Sequence, residues 1–257
     1  MSQLIVVSDP RPGVRLIELN RPEKKNAFTR DMYDAASAAL RAADADRAVR
    51  VICLTGSGDV FTAGNDIADF RAGPPPVSDD TGPGGFIAAV ACMEKPVIAA
   101  VNGLAVGIGA TILLHCDLVY AAAGARFQLP FINLGLVPEA GSTHVLPRLV
   151  GRHRAAELFF FGEPFDAVAA ESWGIVNAVF LDGEFMNRTL ERTEALAAKP
   201  ARVLRLIKRL LTTAAASTKE RADEELGLLA KQLGADEAQE AMQAFLERRR
   251  PDFSRFA

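Results

Sequence analysis

The chain has 257 residues, 49% of them hydrophobic and 24% charged, with a formal net charge of −3. That balance suits one large domain, or one domain with a helical appendage, and excludes general nucleic-acid binding: any anionic ligand must be met by a local basic cluster. No apolar run reaches the length of a membrane span, the start MSQLIVVSD lacks a signal-peptide layout and the closing SRFA carries no targeting address, so a cytoplasmic protein without a membrane partner is expected.

In chain order, LIVVS and VRLIELN read as strands with DPRPG as the turn between them. RPEKKNAF is a basic loop, Thr29 has the chemistry of an N-cap, and Asp31 to Ala43 carries helical periodicity. VRVICLTG is a short apolar run, hence a buried strand, and FTAGND opens a helix over Asn65 to Phe70. Residues 72–85, AGPPPVSDDTGPGG, form a Pro/Gly-rich loop, either a surface link or a lid near a site. A helix to Glu94, strand KPVIAAVNG, helix GIGATILLHC and strand DLVYAA complete a repeated β/α build.

Beyond Leu146 the character turns helical, over residues 152–162, 166–173, 184–198, 201–213 and 218–247, with VNAVF as the one strand between them. Stripes at Val203, Leu204, Ile207, Leu210 and Leu211, and at Leu226, Leu229 and Leu233, suit packing on a core or on a neighbouring subunit. A soft boundary near residue 195 divides the chain into a core, 1–195, and a helical tail, 196–257. Cys53, Cys92 and Cys116 lie in apolar surroundings without a CxxC pair and read as buried, reduced thiols.

Two segments share a plan: VICLTG then FTAGND, and VIAAVNG then LAVGIGAT. Each ends a buried strand with small residues ahead of a helix. Small residues let a ligand approach the backbone, and a helix start leaves N–H groups unpaired. Two such ends aimed at one point would stabilise an oxyanion, one preorganised donor contributing about 2.7–4 kcal/mol. Gly-rich strand-to-helix turns are common in α/β folds, so the pattern alone leaves an ordinary turn open.

NRPEKKNAF, FTAGNDI, KPVIAAVNGLAVGIGATILLHCDLVYA, FINLGLVPEAGSTHVLPRLVG, AVAAESWGIVNAVF and AFLERRRPDF together resemble the crotonase (enoyl-CoA hydratase/isomerase) superfamily along essentially the whole chain. The resemblance implies an α/β fold, a spiral of ββα repeats with a C-terminal helical region that drives trimers, often paired into hexamers. It implies an acyl-CoA thioester as substrate, with no separate cofactor and no metal. Its oxyanion donors fall on the backbone N–H of Asn65 and of Ile108. Many members have glycine at the second place; isoleucine is tolerable there if the local φ is negative. The CoA contacts fall on Lys24, Lys25 and Ala27, on Ala63 and Ile67, and on a basic residue of ERRRPDF, taken as Arg249. Read without the family, Lys24, Lys25 and Arg248 to Arg250 are solvated charges.

The two glutamates with which family hydratases activate water fall on Thr111 and Phe131 here, both lining the substrate site without a carboxylate. Glu139, in LGLVPEAGS, stands where certain Δ3,Δ2-enoyl-CoA isomerases carry their catalytic acid. The resemblance therefore implies an isomerase that moves a 3-enoyl-CoA double bond to the 2-position with one base. The alternatives are a hydratase or mixed enzyme, an aspartate-like covalent role for Glu139, and a non-catalytic binding protein of the same fold. From residues alone Glu139 also reads as a first-turn glutamate of a helix beginning near Ala140. His115, His144 and His153 lack metal-ligand spacing, and His115 reads as a satisfied core residue. Asp117 and Trp173 read as structural, and Asp66 as a helix cap.

Overall fold

The computed structural model describes residues 3–71, 80–213, 218–254 and 256. Strands β1 (Ile5–Arg11) and β2 (Val14–Leu19) pair antiparallel, and helix α1 (Arg30–Ala45) follows. The first strand runs through Asp9, Pro10 and Arg11, so the turn is shorter than DPRPG. Thr29 caps α1 as its chemistry predicts, its side chain accepting from Met32 N.

Two turns of one spiral come next. β3 (Val51–Gly56) leads to β4 (Val60–Thr62), α2 (Ile67–Arg71) and α3 (Gly82–Ala91). β5 (Val97–Val101) leads to β6 (Leu104–Val106) and α4 (Ile108–Thr111), which tightens into a 3-10 turn over Ile112–His115. A third turn begins with β7 (Leu118–Ala122) and β8 (Arg126–Gln128), then passes a 3-10 turn over Pro130–Leu134 into α5 (Ser142–Val150). The chain closes with α6 (Arg152–Phe161), β9 (Phe165–Asp166), α7 (Ala167–Ser172), β10 (Ala178–Phe180), α8 (Phe185–Ala197), α9 (Ala201–Thr212), α10 (Thr218–Leu233) and α11 (Asp236–Leu246).

Each spiral turn gives one strand to each of two sheets. The larger has the order β1-β2-β3-β5-β7-β10, parallel from β2 onward; the smaller is β4-β6-β8-β9, parallel except at β9. β3 and β5 are buried along their whole length, which is why they read as continuous apolar runs. The three-residue strands β4, β6 and β8 and the two-residue β9 escape a sequence reading because they are too short to show a period.

Three other expectations need correction. Gly82 to Gly85 belong to α3 rather than to a loop, Gly82 N donating to Asp34 Oδ1 at 2.7 Å; residues 72–79 of that stretch lie outside the described residues. The predicted 218–247 helix is broken after Leu233, because Gly234 and Ala235 interrupt it. Cys92 is exposed, whereas Cys53 is buried.

The tail's apolar stripes do not pack fully on the spiral. Ile207 and Leu211 of α9 and Leu226 and Leu229 of α10 are exposed, Val203, Leu204 and Leu210 are half-buried, and the Leu233 side chain lies outside the described residues. Trp173 packs against the core and carries the Arg154 guanidinium 4.5 Å above its ring. Among the described residues no helix is long and apolar enough to cross a membrane.

Candidate active site

The site lies where β4, β6 and β8 end. After β4 the chain continues as Ala63, Gly64 and Asn65, running beside the basic loop: Ala63 N donates to Lys25 O at 2.9 Å, Phe28 N to Gly64 O at 2.7 Å and Asp66 N to Phe28 O at 2.8 Å. In a parallel pairing, alternate peptides face opposite ways. Since Gly64 O and Asp66 N face Phe28, the N–H of Asn65 faces away from it, and among the described residues it has no protein acceptor. Gly64 holds φ +90°, and a Cβ there would stand 2.8 Å from Val106 O. Glycine is required because the first turn is pressed backbone to backbone against the second.

The second turn uses a different device. Gly107 is the N-cap of α4 with φ 56° and ψ −118°, outside the range of other residues, and its N–H donates to Gln128 O. Ala110 N and Thr111 N bond back to Gly107 O, which leaves Ile108 N at the first helical position without a protein acceptor among the described residues. Ile108 does not have a positive φ, so the condition on an isoleucine at this place is met; its side chain is fully buried.

Glu139 enters between β8 and α5. It is not in the first turn of that helix: Ala140 (φ 55°) and Gly141 (φ 61°) turn the chain sharply, Gly141 is the N-cap, and Ser142 N and Oγ both donate to Glu139 O. The helix-dipole reading of Glu139 therefore fails. Its partly buried carboxylate accepts a short hydrogen bond from Thr111 Oγ1, one helical turn beyond Gly107. Burial pushes its pKa from 4.5 up to about 7, against the opposing pull of the Thr111 bond. Thr111 is fully buried, so its hydroxyl faces the acid rather than solvent. Phe131 is buried as well, in the main hydrophobic core.

The remaining predicted residues divide into two groups. Lys24 and Lys25 are exposed, on a 3-10 turn over Pro22–Lys24, and Ala27 is buried beside them. Buried Asn26 ties this loop to the residue just after β3 through Ser57 O and to the start of β4 through Val60 O. With Ala63 adjacent and exposed Ile67 at the start of α2, these residues flank the Asn65 turn together. Arg249 does not join them. It is held by Glu240 and Glu247, and the segment just beyond it is fixed where Arg50 donates to Phe253 O, at the start of β3. The basic loop sits past the other end of that strand, so within one chain the structure separates Arg249 from Lys24 and Lys25.

Sequence reasoning missed Tyr33. It lies on the buried face of α1 with Met32, Ala36, Ser37 and Leu40, which reads as core packing. Its hydroxyl donates to Asn65 Oδ1 at 2.6 Å, and both burial and the nearby Glu139 charge hold its pKa well above 10.0. A tyrosine on an otherwise apolar face was the available signal, since a buried phenol needs a partner.

His115, Asp66 and Asp117 are structural. His115 Nε2 lies 2.7 Å from Ala140 O; Asp66 caps α2 through Ala68 N and Asp69 N and pairs with Arg21 at 2.7 Å; Asp117 accepts from Val97 N and Lys208. No cluster of potential metal ligands occurs among the described residues.

The geometry thus offers, on contacting turns, two main-chain N–H groups without a protein acceptor among the described residues, and one carboxyl whose pKa burial raises to about 7. The enoyl-CoA hydratase/isomerase family model matches residues 10–255. The 1,2-epoxyphenylacetyl-CoA isomerase of Escherichia coli (strain K12) is 35% identical over 259 residues, covering 97% of this chain and 98% of that protein. Enoyl-CoA delta isomerase 2 of Homo sapiens is 36% identical over 81% of this chain, which spans 54% of that relative's length. Among solved structures, a putative enoyl-CoA hydratase/carnithine racemase from Magnetospirillum magneticum AMB-1 superposes with a TM-score of 0.94 at 43% identity, covering 99% of this chain and 100% of that one.

Proposed function

The chain belongs to the enoyl-CoA hydratase/isomerase family, and from that premise we propose that it is an acyl-CoA isomerase that shifts a 3-enoyl-CoA double bond to the 2-position. Asn65 N–H and Ile108 N–H would receive the thioester oxygen. Glu139, as carboxylate, takes a proton from C2; the electrons delocalise over the dienolate, whose oxygen charge the two amides stabilise. The protonated Glu139 then delivers the proton to C4, and the double bond comes to rest between C2 and C3. Atoms and charge balance with one acid and no water.

One observation carries this reading: the Thr111–Glu139 hydrogen bond. Where family hydratases carry an acid, this chain has a threonine that holds the Glu139 carboxylate. A pKa of about 7 suits a group that must both accept and return a proton near neutrality. Lys24 and Lys25 supply the local positive charge for CoA phosphates, and Phe131 excludes water. A homo-oligomer is part of the proposal, because the exposed apolar stripes of α9 and α10 fit a neighbouring copy.

Purified protein assayed with a 3-enoyl-CoA and with a 2-enoyl-CoA tests the reading. Rapid conversion of the first with negligible hydration of the second is expected. Comparable hydration of the second would favour the hydratase reading, and binding of both without turnover would favour a non-catalytic role.

A further inference from the structure

We propose that Tyr33 is a positioning residue for the first oxyanion donor, its hydroxyl locking the Asn65 peptide through Asn65 Oδ1. The inference rests on the reading of Asn65 N–H as that donor.

Every group of the Gly64–Asp66 segment that could let the peptide rotate is tethered. Gly64 O and Asp66 N bond to Phe28, Gly64 N donates to Thr62 Oγ1, and the Asp66 carboxylate is held by Arg21. The Asn65 side chain is the remaining handle, and Tyr33 takes it at 2.6 Å. Tyr33 is itself rigid: it stacks on Phe28 with ring centroids 4.4 Å apart and tilts against Phe86 at 5.8 Å. Phe28 is the residue whose backbone pairs with the Asn65 segment, so one aromatic stack fixes both the strand's partner and its side-chain anchor. The phenol is only 2% exposed and close enough to Glu139 to feel its charge. It stays protonated while Glu139 gains and loses a proton, so the bond to Asn65 persists through turnover.

A residue that only filled space would act on folding. A residue that aims the amide acts on the enolate. Acetoacetyl-CoA separates the two, because its enolate absorbs in the near ultraviolet and presents an oxyanion without needing turnover. The wild-type protein is expected to enrich the bound enolate. Tyr33→Phe, which keeps the ring, is expected to lower the bound ligand's ionisation constant by about tenfold, while butyryl-CoA binds within about twofold of wild type.

Asn65→Ala removes the acceptor and keeps the main-chain N–H. It should reproduce the Tyr33→Phe effect, and the double variant should be no worse than either single one. An unchanged enolate fraction in Tyr33→Phe, or additive losses in the double variant, would overturn the proposal. If Tyr33→Phe fails to fold, the Asn65→Ala arm decides alone: an unchanged enolate fraction overturns the proposal. A wild-type protein that binds acetoacetyl-CoA without enriching the enolate would overturn the oxyanion reading itself, an outcome distinct from failure of Tyr33 alone.

Discussion

The two ends of the spiral's helical returns treat polar groups in opposite ways. At the start of β5 and β7, a connected set of polar groups is paired. Lys95 Nζ donates to Ala43 O and Asp46 O, Asp46 also receives Arg15, Asp44 accepts from Lys95 N, and Lys208 bridges Lys95 O and Asp117, which in turn receives Val97 N. Where β4, β6 and β8 end, two N–H groups lack a protein partner among the described residues and a carboxyl sits in surroundings that resist its charge. The first end is built for stability. On the proposed reading the second keeps donors and a base in reserve for a ligand, at a cost to folding. The same helices join both ends, so the chain separates the two demands in space.

The comparison predicts that substitutions at the open end change rate and those at the paired end change stability. The largest effect is expected from Glu139→Gln, which should lower turnover about 10³–10⁴-fold. It should also stabilise the protein. The folded-state pKa of about 7 lies above the ordinary 4.5, so wild-type stability falls as pH rises from about 4.5 to about 7 and levels off beyond. Melting curves should therefore show the variant ahead above pH 7, by about 2–4 °C for each kcal/mol relieved, and level with wild type below pH 5. A variant less stable at pH 8 would contradict the contrast.

Gly64→Ala comes next. Its Cβ would collide with Val106 O and force apart the two contacting turns. Loss of about 10²–10³ in turnover is expected, the scale of one oxyanion donor, measured as kcat at saturating substrate.

Lys208→Met addresses the other end. It deletes an ion pair and a carbonyl bond in a largely buried place and should cost about 1.5–3 kcal/mol in urea unfolding. Turnover at 25 °C should match wild type; a slower folded enzyme would break the separation of roles.

The smallest effect is expected from Thr111→Val. The hydroxyl favours the charged form of Glu139, so its loss should raise that pKa further. The acid limb of the kcat/KM profile, expected near pH 7 in wild type because the base must be ionised, should move to higher pH. Turnover at pH 7 should drop by about tenfold or less, and recover largely at pH 9.

Much of this was legible in the residues. Continuous apolar runs marked β3 and β5, Thr29 announced α1, and the small residues before α2 and α4 pointed to backbone donors. The resemblance supplied Glu139 and the loop around Lys24. The three-residue strands of the second sheet were not legible, because so few residues carry no periodicity, yet they form the layer on which the site is built. That Arg249 stands apart from Lys24 and Lys25 within one chain was not legible for a related reason: a charge near the C-terminus says nothing about which end of β3 it will reach.

By itself, then, the sequence determined local events: which segments extend, which coil, and that Thr29 caps α1. Those follow from side-chain period and capping chemistry. Only the tertiary structure decided that the Gly64 and Gly107 turns touch, that Thr111 and Glu139 meet across 28 residues, and that Tyr33 grips Asn65 across 32. Long-range contacts of this kind arise from stacking one spiral turn on the next, and no local pattern along the chain records which turn will lie against which.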